Sequence, residues 1–159
     1  MTMILEMNPG PWLTVNDGVM GGISSSRLVE ADGVLTFAGE LSLENNGGFA
    51  SVRRMVENDL SQITGVRLEV RGDQRTYQFR LRQNDRFDGV AWRAEFNTTE
   101  EWQTLELPFN QFVPVFRGRR VPEAGPVVPS SIKQVGFLLA DETPGPFRLQ
   151  IRKIEFTSH

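Results

Sequence analysis

The sequence predicts an all-β fold, an antiparallel sandwich or barrel, and three observations carry that reading. Apolar and polar residues alternate with period two over several runs, while long helical periodicity is absent. Turn chemistry separates the runs at regular intervals: Asp32-Gly33, Asn45-Asn46-Gly47-Gly48, Gly72-Asp73, Asp88-Gly89 and Pro144-Gly145-Pro146. The one nearly continuous apolar run, Val135 to Ala140, is strand-length and far too short for a membrane span.

In chain order, strands are expected near 24–30, 34–43 and 49–53. Val66, Leu68 and Val70 then alternate with Arg67, Glu69 and Arg71, giving a strand with one buried and one wet face. The same holds for Tyr77, Phe79 and Leu81 against Gln78, Arg80 and Arg82, and for Val90, Trp92, Ala94 and Phe96. A strand near 102–107 follows, then one over 132–140, whose Val135–Ala140 segment is expected mid-sheet and covered on both sides. The last strand places Phe147, Leu149 and Ile151 at odd numbers but Ile154 and Phe156 at even ones. A period of two changes parity only through an extra residue, so a β-bulge is expected near Arg152-Lys153. Single helical turns are expected near 56–62 and 108–112. No linker or repeat divides the chain, so residues 1–159 read as one domain.

Composition excludes several chemistries. There is no Cys, and the only His is His159, so thiolate catalysis, cysteine-held zinc and a Ser-His-acid triad have no residues to work with. Net charge is −3, which disfavours general polyanion binding, DNA included. Fifteen of the seventeen cations are nonetheless Arg, a bias toward ordered pairing with carboxylates or phosphates. The N-terminal residues lack a basic region and a signal core, so a cytoplasmic protein without membrane insertion is expected.

Four constellations remain. Asn16-Asp17-Gly18-Val19-Met20-Gly21-Gly22 allows close backbone approach, and reads either as a tight turn bonded by Asp17 or as a ligand loop. It lacks the Lys and spacing of a phosphate loop. The wet sides of the strands carry Arg67, Arg71, Arg80, Arg82, Arg93, Arg148 and Arg152 beside Glu69 and Glu95. Such a face is either a lattice of Arg–Glu pairs or a grip for an acidic partner. Trp92 shares parity with the core, whereas Trp102 is either exposed or folded over it. Paired carboxylates are the only enzymatic route left. Glu69 and Glu95, placed to face each other across a sheet, have Arg neighbours that would lower the pKa a general acid needs raised.

The Asn16–Gly22 string followed by Ser24 closely resembles the signature of the complex I intermediate-associated protein 30 family. Matching pieces follow in order: Gly47-Gly48-Phe49-Ala50-Ser51-Val52-Arg53, Gly72-Asp73 with Tyr77, and Trp102 ahead of Leu107-Pro108-Phe109 and Phe112. Then come Arg117-Gly118, Ile132 with Gly136, and Asp141 before Gly145-Pro146-Phe147 and Leu149. The resemblance spans residues 10–156 and implies a galactose-binding-like jelly-roll sandwich. It further implies a non-enzymatic, chaperone-like assembly factor, with no catalytic residues, metal or cofactor carried over. Its protein partners would be subunits of a membrane-associated respiratory or photosynthetic complex. The jelly roll also admits a carbohydrate-binding module, and the Arg face an RNA-binding domain whose affinity would fall steeply with salt. The residues expected to meet a partner are Asn16, Asp17, Met20, Arg80, Arg82, Arg93 and Arg117. Asp17 and Arg117 are further expected to pair, fixing two loops at one end of the sandwich.

Overall fold

The structure, a computed structural model, describes residues 2–158 except Gly21, Asn45, Asn46 and Phe87, and leaves out the side chains of Val19 and Met20. Among the described residues, thirteen strands form two antiparallel sheets. They are β1 (Thr2–Ile4), β2 (Trp12–Asn16), β3 (Ser25–Ala31), β4 (Val34–Leu41), β5 (Ala50–Met55), β6 (Gly65–Gly72), β7 (Thr76–Arg82), β8 (Ala91–Asn97), β9 (Gln103–Pro108), β10 (Val113–Phe116), β11 (Arg119–Arg120), β12 (Gln134–Leu139) and β13 (Gly145–Thr157). The first sheet runs β3-β4-β13-β6-β9, with β1 also on β13; the second runs β11-β10-β8-β7-β12-β5-β2. This is the expected all-β jelly-roll sandwich.

The alternating residues do what their period requires. Leu35 and Phe37 of β4, Val66, Leu68 and Val70 of β6, and Phe147, Leu149 and Ile151 of β13 are all buried. They meet Tyr77, Phe79 and Leu81 of β7, Phe96 of β8, and Val135, Phe137 and Leu139 of β12. Each such side chain contributes roughly 1.5–3 kcal/mol by leaving water. Phe79 and Phe137 add an edge-on contact at 5.2 Å, and Tyr77 reaches Phe147 of the opposite sheet at 6.5 Å. The segment β12 lies between β7 and β5 and is buried at every position, the central strand its composition predicts.

The register of β13 against β6 shifts where parity demanded it. Ile151 faces Val70 and Lys153 faces Glu69, leaving Arg152 as the extra residue of a bulge. The turn near 108–112 is a short 3-10 segment over Phe109–Gln111. That expected near 56–62 is not helical: Val56, Leu60 and Ile63 are buried anchors on an irregular segment with a turn at Leu60–Ile63. The short strands β1, β2, β10 and β11 carried no readable alternation. The β10–β11 hairpin turns on Arg117 and Gly118, with φ of 50° and 81°, the two positive values a tight two-residue hairpin needs.

Candidate functional site

The residues that carry the motifs fall into two kinds of place, and the first is a set of buried clamps. Asp17 is fully buried where β2 ends in a 3-10 turn over Asp17–Met20. Its carboxylate accepts from the Ser24 amide at 2.9 Å, the Ser24 hydroxyl at 2.5 Å and the Gly48 amide at 2.7 Å. A Cβ at Gly22 would stand 2.4 Å from its Cγ, and one at Gly47 2.5 Å from its Oδ2, so only glycine lets both loops close on this carboxylate. Burial pushes the Asp17 carboxyl up, but the Ser24 hydroxyl and the Gly48 and Ser24 amides outweigh it and hold it below the ordinary carboxylate value. Asn16 does similar work, accepting from the Ser26 hydroxyl at 2.8 Å and the Ser51 amide at 3.3 Å.

A second clamp ties the two sheets at Arg75. Its guanidinium forks onto Asp141 at 2.7 and 2.8 Å, and also donates to the Thr143 carbonyl and, at 3.0 Å, to that of Pro146. Beside it, the Tyr77 hydroxyl donates to Asp73 at 3.0 Å and the Arg148 amide donates to the same carboxylate at 2.7 Å. Burial, with Asp73 beside it, pushes the Tyr77 phenol far above its ordinary value, so it stays a donor. Arg75 has no place in the motif pieces read from the sequence; only its position two residues after Asp73 hints at the clamp.

The expected Asp17–Arg117 pair is not formed. Asp17 is occupied by Ser24 and Gly48, while Arg117 donates to Asp88 at 2.8 Å on the exposed β10–β11 turn. Arg117 and Gly118 line a groove with Gly47 and Gly48, whose loop Asp17 holds, but no described residue of 16–22 lines it. The side chain of Met20, also expected at a partner surface, lies outside the described residues.

That groove is the second place, about 610 Å³ across the outer face of the second sheet. Strand register sets the part of its floor made by Arg53, Gly136 and Arg80, which belong to a longer row. Leu13, Arg53, Gly136, Arg80, Arg93 and Val113 lie side by side in one cross-strand row, from β2 to β10. Arg82 stands two residues from Arg80 on the same face. A Cβ at Gly136 would meet the Val52 carbonyl at 2.6 Å, so only glycine fits at this step of the row. Burial and the neighbouring Arg82 guanidinium bring Arg53 down to about 10. Burial, with Arg82, Arg93 and Arg53, brings Arg80 down to about 10. Both stay charged at neutral pH. Among the described residues no carboxylate forms an ion pair with Arg80, Arg82 or Arg93: Arg80 donates to Gln78 at 2.9 Å and Arg82 to the Gly89 carbonyl at 2.9 Å.

The single Arg face of the sequence is therefore two faces. Arg67, Arg71, Arg148 and Arg152 belong to the first sheet, as does Glu69, whereas Glu95 lies on β8 of the second. The two carboxylates cannot face each other across a sheet, which removes the acid pair considered for hydrolysis. Trp92 is buried and donates to the Gly125 carbonyl at 2.9 Å. Trp102 is half-buried under the Arg152 and Arg71 guanidiniums, 4.4 and 4.9 Å from its ring. No group of three or more acidic or His side chains close enough to hold a metal occurs among the described residues.

The family model described as Complex I intermediate-associated protein 30 matches residues 6–151. The chain belongs to that family. It is 32% identical to the mouse (Mus musculus) mitochondrial complex I intermediate-associated protein 30 over 103 residues, 62% of this chain and 31% of that one. The Drosophila melanogaster protein of the same name is 26% identical over 128 residues, covering 76% of this chain and 43% of that one. The chain thus spans less than half the length of either. An uncharacterised Schizosaccharomyces pombe protein is 26% identical and matches 91% of this chain and 80% of its own length. Among solved structures, a family 11 carbohydrate-binding module of a Clostridium thermocellum cellulase superposes with a TM-score of 0.76 at 16% identity, over 100% of this chain and 95% of that one. A family 29 module superposes with a TM-score of 0.59 at 12% identity, over 99% and 92%. These likenesses concern the jelly-roll fold. In the complex I intermediate-associated protein 30 signature of this chain, Asp17, Gly22, Gly47, Gly48, Asp73, Tyr77 and Asp141 all sit in the clamps. Arg80, Arg82 and Arg93 stand outside it.

Proposed function

We propose that this chain is a non-enzymatic assembly factor that docks onto subunits of a membrane-associated respiratory or photosynthetic complex through the groove of its second sheet. Family membership supports the assembly role. One observation supports the location: three half-buried Arg side chains share a face on which no described carboxylate pairs with them. Arg is over-represented at the anchor points of protein interfaces, and unneutralised guanidiniums await an acceptor. Arg80, Arg82 and Arg93 are the docking side chains, with Arg117 at the rim, and Asn16 and Asp17 act behind them by holding the loops. None of the three tryptophans offers the carbohydrate alternative a platform in the groove: Trp92 is core, Trp102 lies on the other sheet, and Trp12 packs inward 6.1 Å from Phe137.

The test is affinity capture from detergent-solubilised membranes of the native host, comparing the wild type with an Arg80→Gln/Arg82→Gln variant and an Arg67→Gln/Arg152→Gln variant. Subunits of one membrane complex should co-purify with the wild type and the second variant, and be depleted with the first. Absence of any such subunit above a tag-only control, in every growth state, would overturn the reading.

A further inference from the structure

We infer that the groove holds a small phosphate ester, its phosphoryl group on Arg80 and Arg82 and its uncharged body over Val15, Ser51 and Leu138. The inference goes beyond the docking reading and does not depend on it. Three features of the lining carry it.

The first is charge. The lining holds four Arg and a single carboxylate, Asp88, which already accepts from Arg117 at the rim. A chain of net charge −3 thus gathers a net +3 in one concave place. Alongside burial, Arg82 depresses both Arg53 and Arg80, so these guanidiniums stand within one another's fields. A carboxylate offsets one such charge, whereas a phosphate monoester carries nearly two at neutral pH and offers three acceptor oxygens. The second feature is the way the cations are held. Gln78 accepts from Arg80 Nε at 2.9 Å, and the Gly89 carbonyl accepts from Arg82 Nη1 at 2.9 Å. Both acceptors are neutral, so they orient the guanidiniums without neutralising them. An arriving anion meets donors already in place, at little further cost in side-chain ordering. The third is the division of the floor. Register sets Val15, Ser51 and Leu138 in a cross-strand row two residues along β12 from Gly136, about 6.7 Å from the Arg row. Ser51 gives its hydroxyl to the Val15 carbonyl, so this end is uncharged and mostly apolar. A cationic end and an uncharged end within about 610 Å³ suit a small molecule with a charged head and an uncharged body.

Isothermal titration calorimetry on the purified chain tests this with phenyl phosphate, inorganic phosphate and benzoate. Phenyl phosphate should bind saturably at one site, about tenfold more tightly than inorganic phosphate, which lacks the body, or benzoate, which carries a single charge. Arg80→Gln and Arg82→Gln should each weaken phenyl phosphate about tenfold, while Arg67→Gln on the opposite sheet leaves it unchanged. Leu138→Ala should weaken phenyl phosphate severalfold and leave inorganic phosphate as it was. Thermal unfolding of each variant separates lost binding from lost folding, because removing one of several crowded like charges should not lower Tm. No saturable binding by about 10 mM phenyl phosphate overturns the inference, as does equal affinity in the wild type and both groove Arg variants. Benzoate binding as tightly as phenyl phosphate overturns it in favour of a carboxylate ligand. Displacement of phenyl phosphate by oligouridylate or by phosphatidic acid vesicles, at lower phosphate concentration than by glycerol phosphate, overturns it in favour of a nucleic acid or a lipid surface. Subunit capture without ester binding removes this inference and leaves the docking reading standing. Ester binding through Arg80 without subunit capture does the reverse.

Discussion

The outer faces of the two sheets are built from the same sequence pattern, Arg at alternate positions on strands of similar length, yet they end in opposite electrostatic states. On the first sheet, Arg67 meets Glu106 at 2.6 Å and Glu155 at 3.1 Å, and Arg152 meets Glu69 at 2.9 Å. Lys153 stands 3.8 and 3.9 Å from Glu69 and Glu155, completing a lattice in which Arg67, Arg152 and Lys153 each have a carboxylate, while Arg71 donates to Gln150. On the second sheet, the register puts Arg80 against Arg93 and sets Gly136 between Arg80 and Arg53. A lattice closes a surface chemically; a cationic row leaves one open. Register, which decides the cross-strand neighbour, therefore separates an Arg set against a carboxylate from one set against another Arg.

The sharpest way to break the comparison lies outside both faces, in the clamps that hold them. Asp17→Ala leaves the buried Ser24 and Gly48 amides without their acceptor and should lower unfolding free energy by about 3 kcal/mol or more in denaturant titrations. A loss below about 1 kcal/mol would show that the loops close without the carboxylate. Acid sharpens the same point. Because the folded Asp17 value lies below the unfolded one, its contribution is present above the ordinary Asp range and fades as pH falls through the folded value. Asp17→Asn should therefore flatten the acid limb of a stability–pH profile, and an unchanged limb would assign the acid sensitivity elsewhere.

Smaller effects distinguish the faces directly. Arg152→Ala removes an ion pair with Glu69 and a cation over Trp102, and should cost about 0.5 kcal/mol, less at high salt. Arg80→Gln should act with the opposite sign, raising stability by a few tenths of a kcal/mol (about 0.3) because it thins a like-charge cluster. Two losses of equal sign and size would mean that both faces are structural, and the contrast drawn between them would disappear.

Much of this architecture was legible because alternation is a direct physical record of burial. The strands around Val66–Val70, Tyr77–Leu81 and Phe147–Ile151 stand where their period put them, and the parity change after Ile151 foretold the bulge. Four strands escaped because they are short or irregular: β1 has three residues, β11 has two, and Pro114 interrupts β10. The site was legible only in part. Period two says which side of a strand an Arg occupies, but not which sheet the strand joins, so Arg67 and Arg80 looked equivalent. Glu69 and Glu95 were placed as cross-sheet partners for the same reason. Pairing of Asp17 with Arg117 was not readable, because Ser24 and Gly48 satisfy Asp17 and Asp88 takes Arg117.

The bulge at Arg152 gives β13 something like a reading frame. Upstream of it, even-numbered residues lie on the outer face and odd-numbered ones in the core; downstream the assignment is inverted, with Lys153 and Glu155 on the outer face, Glu155 buried beneath Arg67 and Lys153, and Ile154 and Phe156 fully buried in the core. The inversion falls where the strand exchanges one neighbour for another, from β4 up to Ile151 to β1 from Glu155 onward. Deleting Arg152 would act as a frameshift in space rather than in codons. Every substituent after it would change sides, so Ile154 and Phe156 would meet solvent while Lys153 and Glu155 turned toward the core. A residue that only balances a surface carboxylate thus also keeps the final turn of the chain in phase with the rest of the fold.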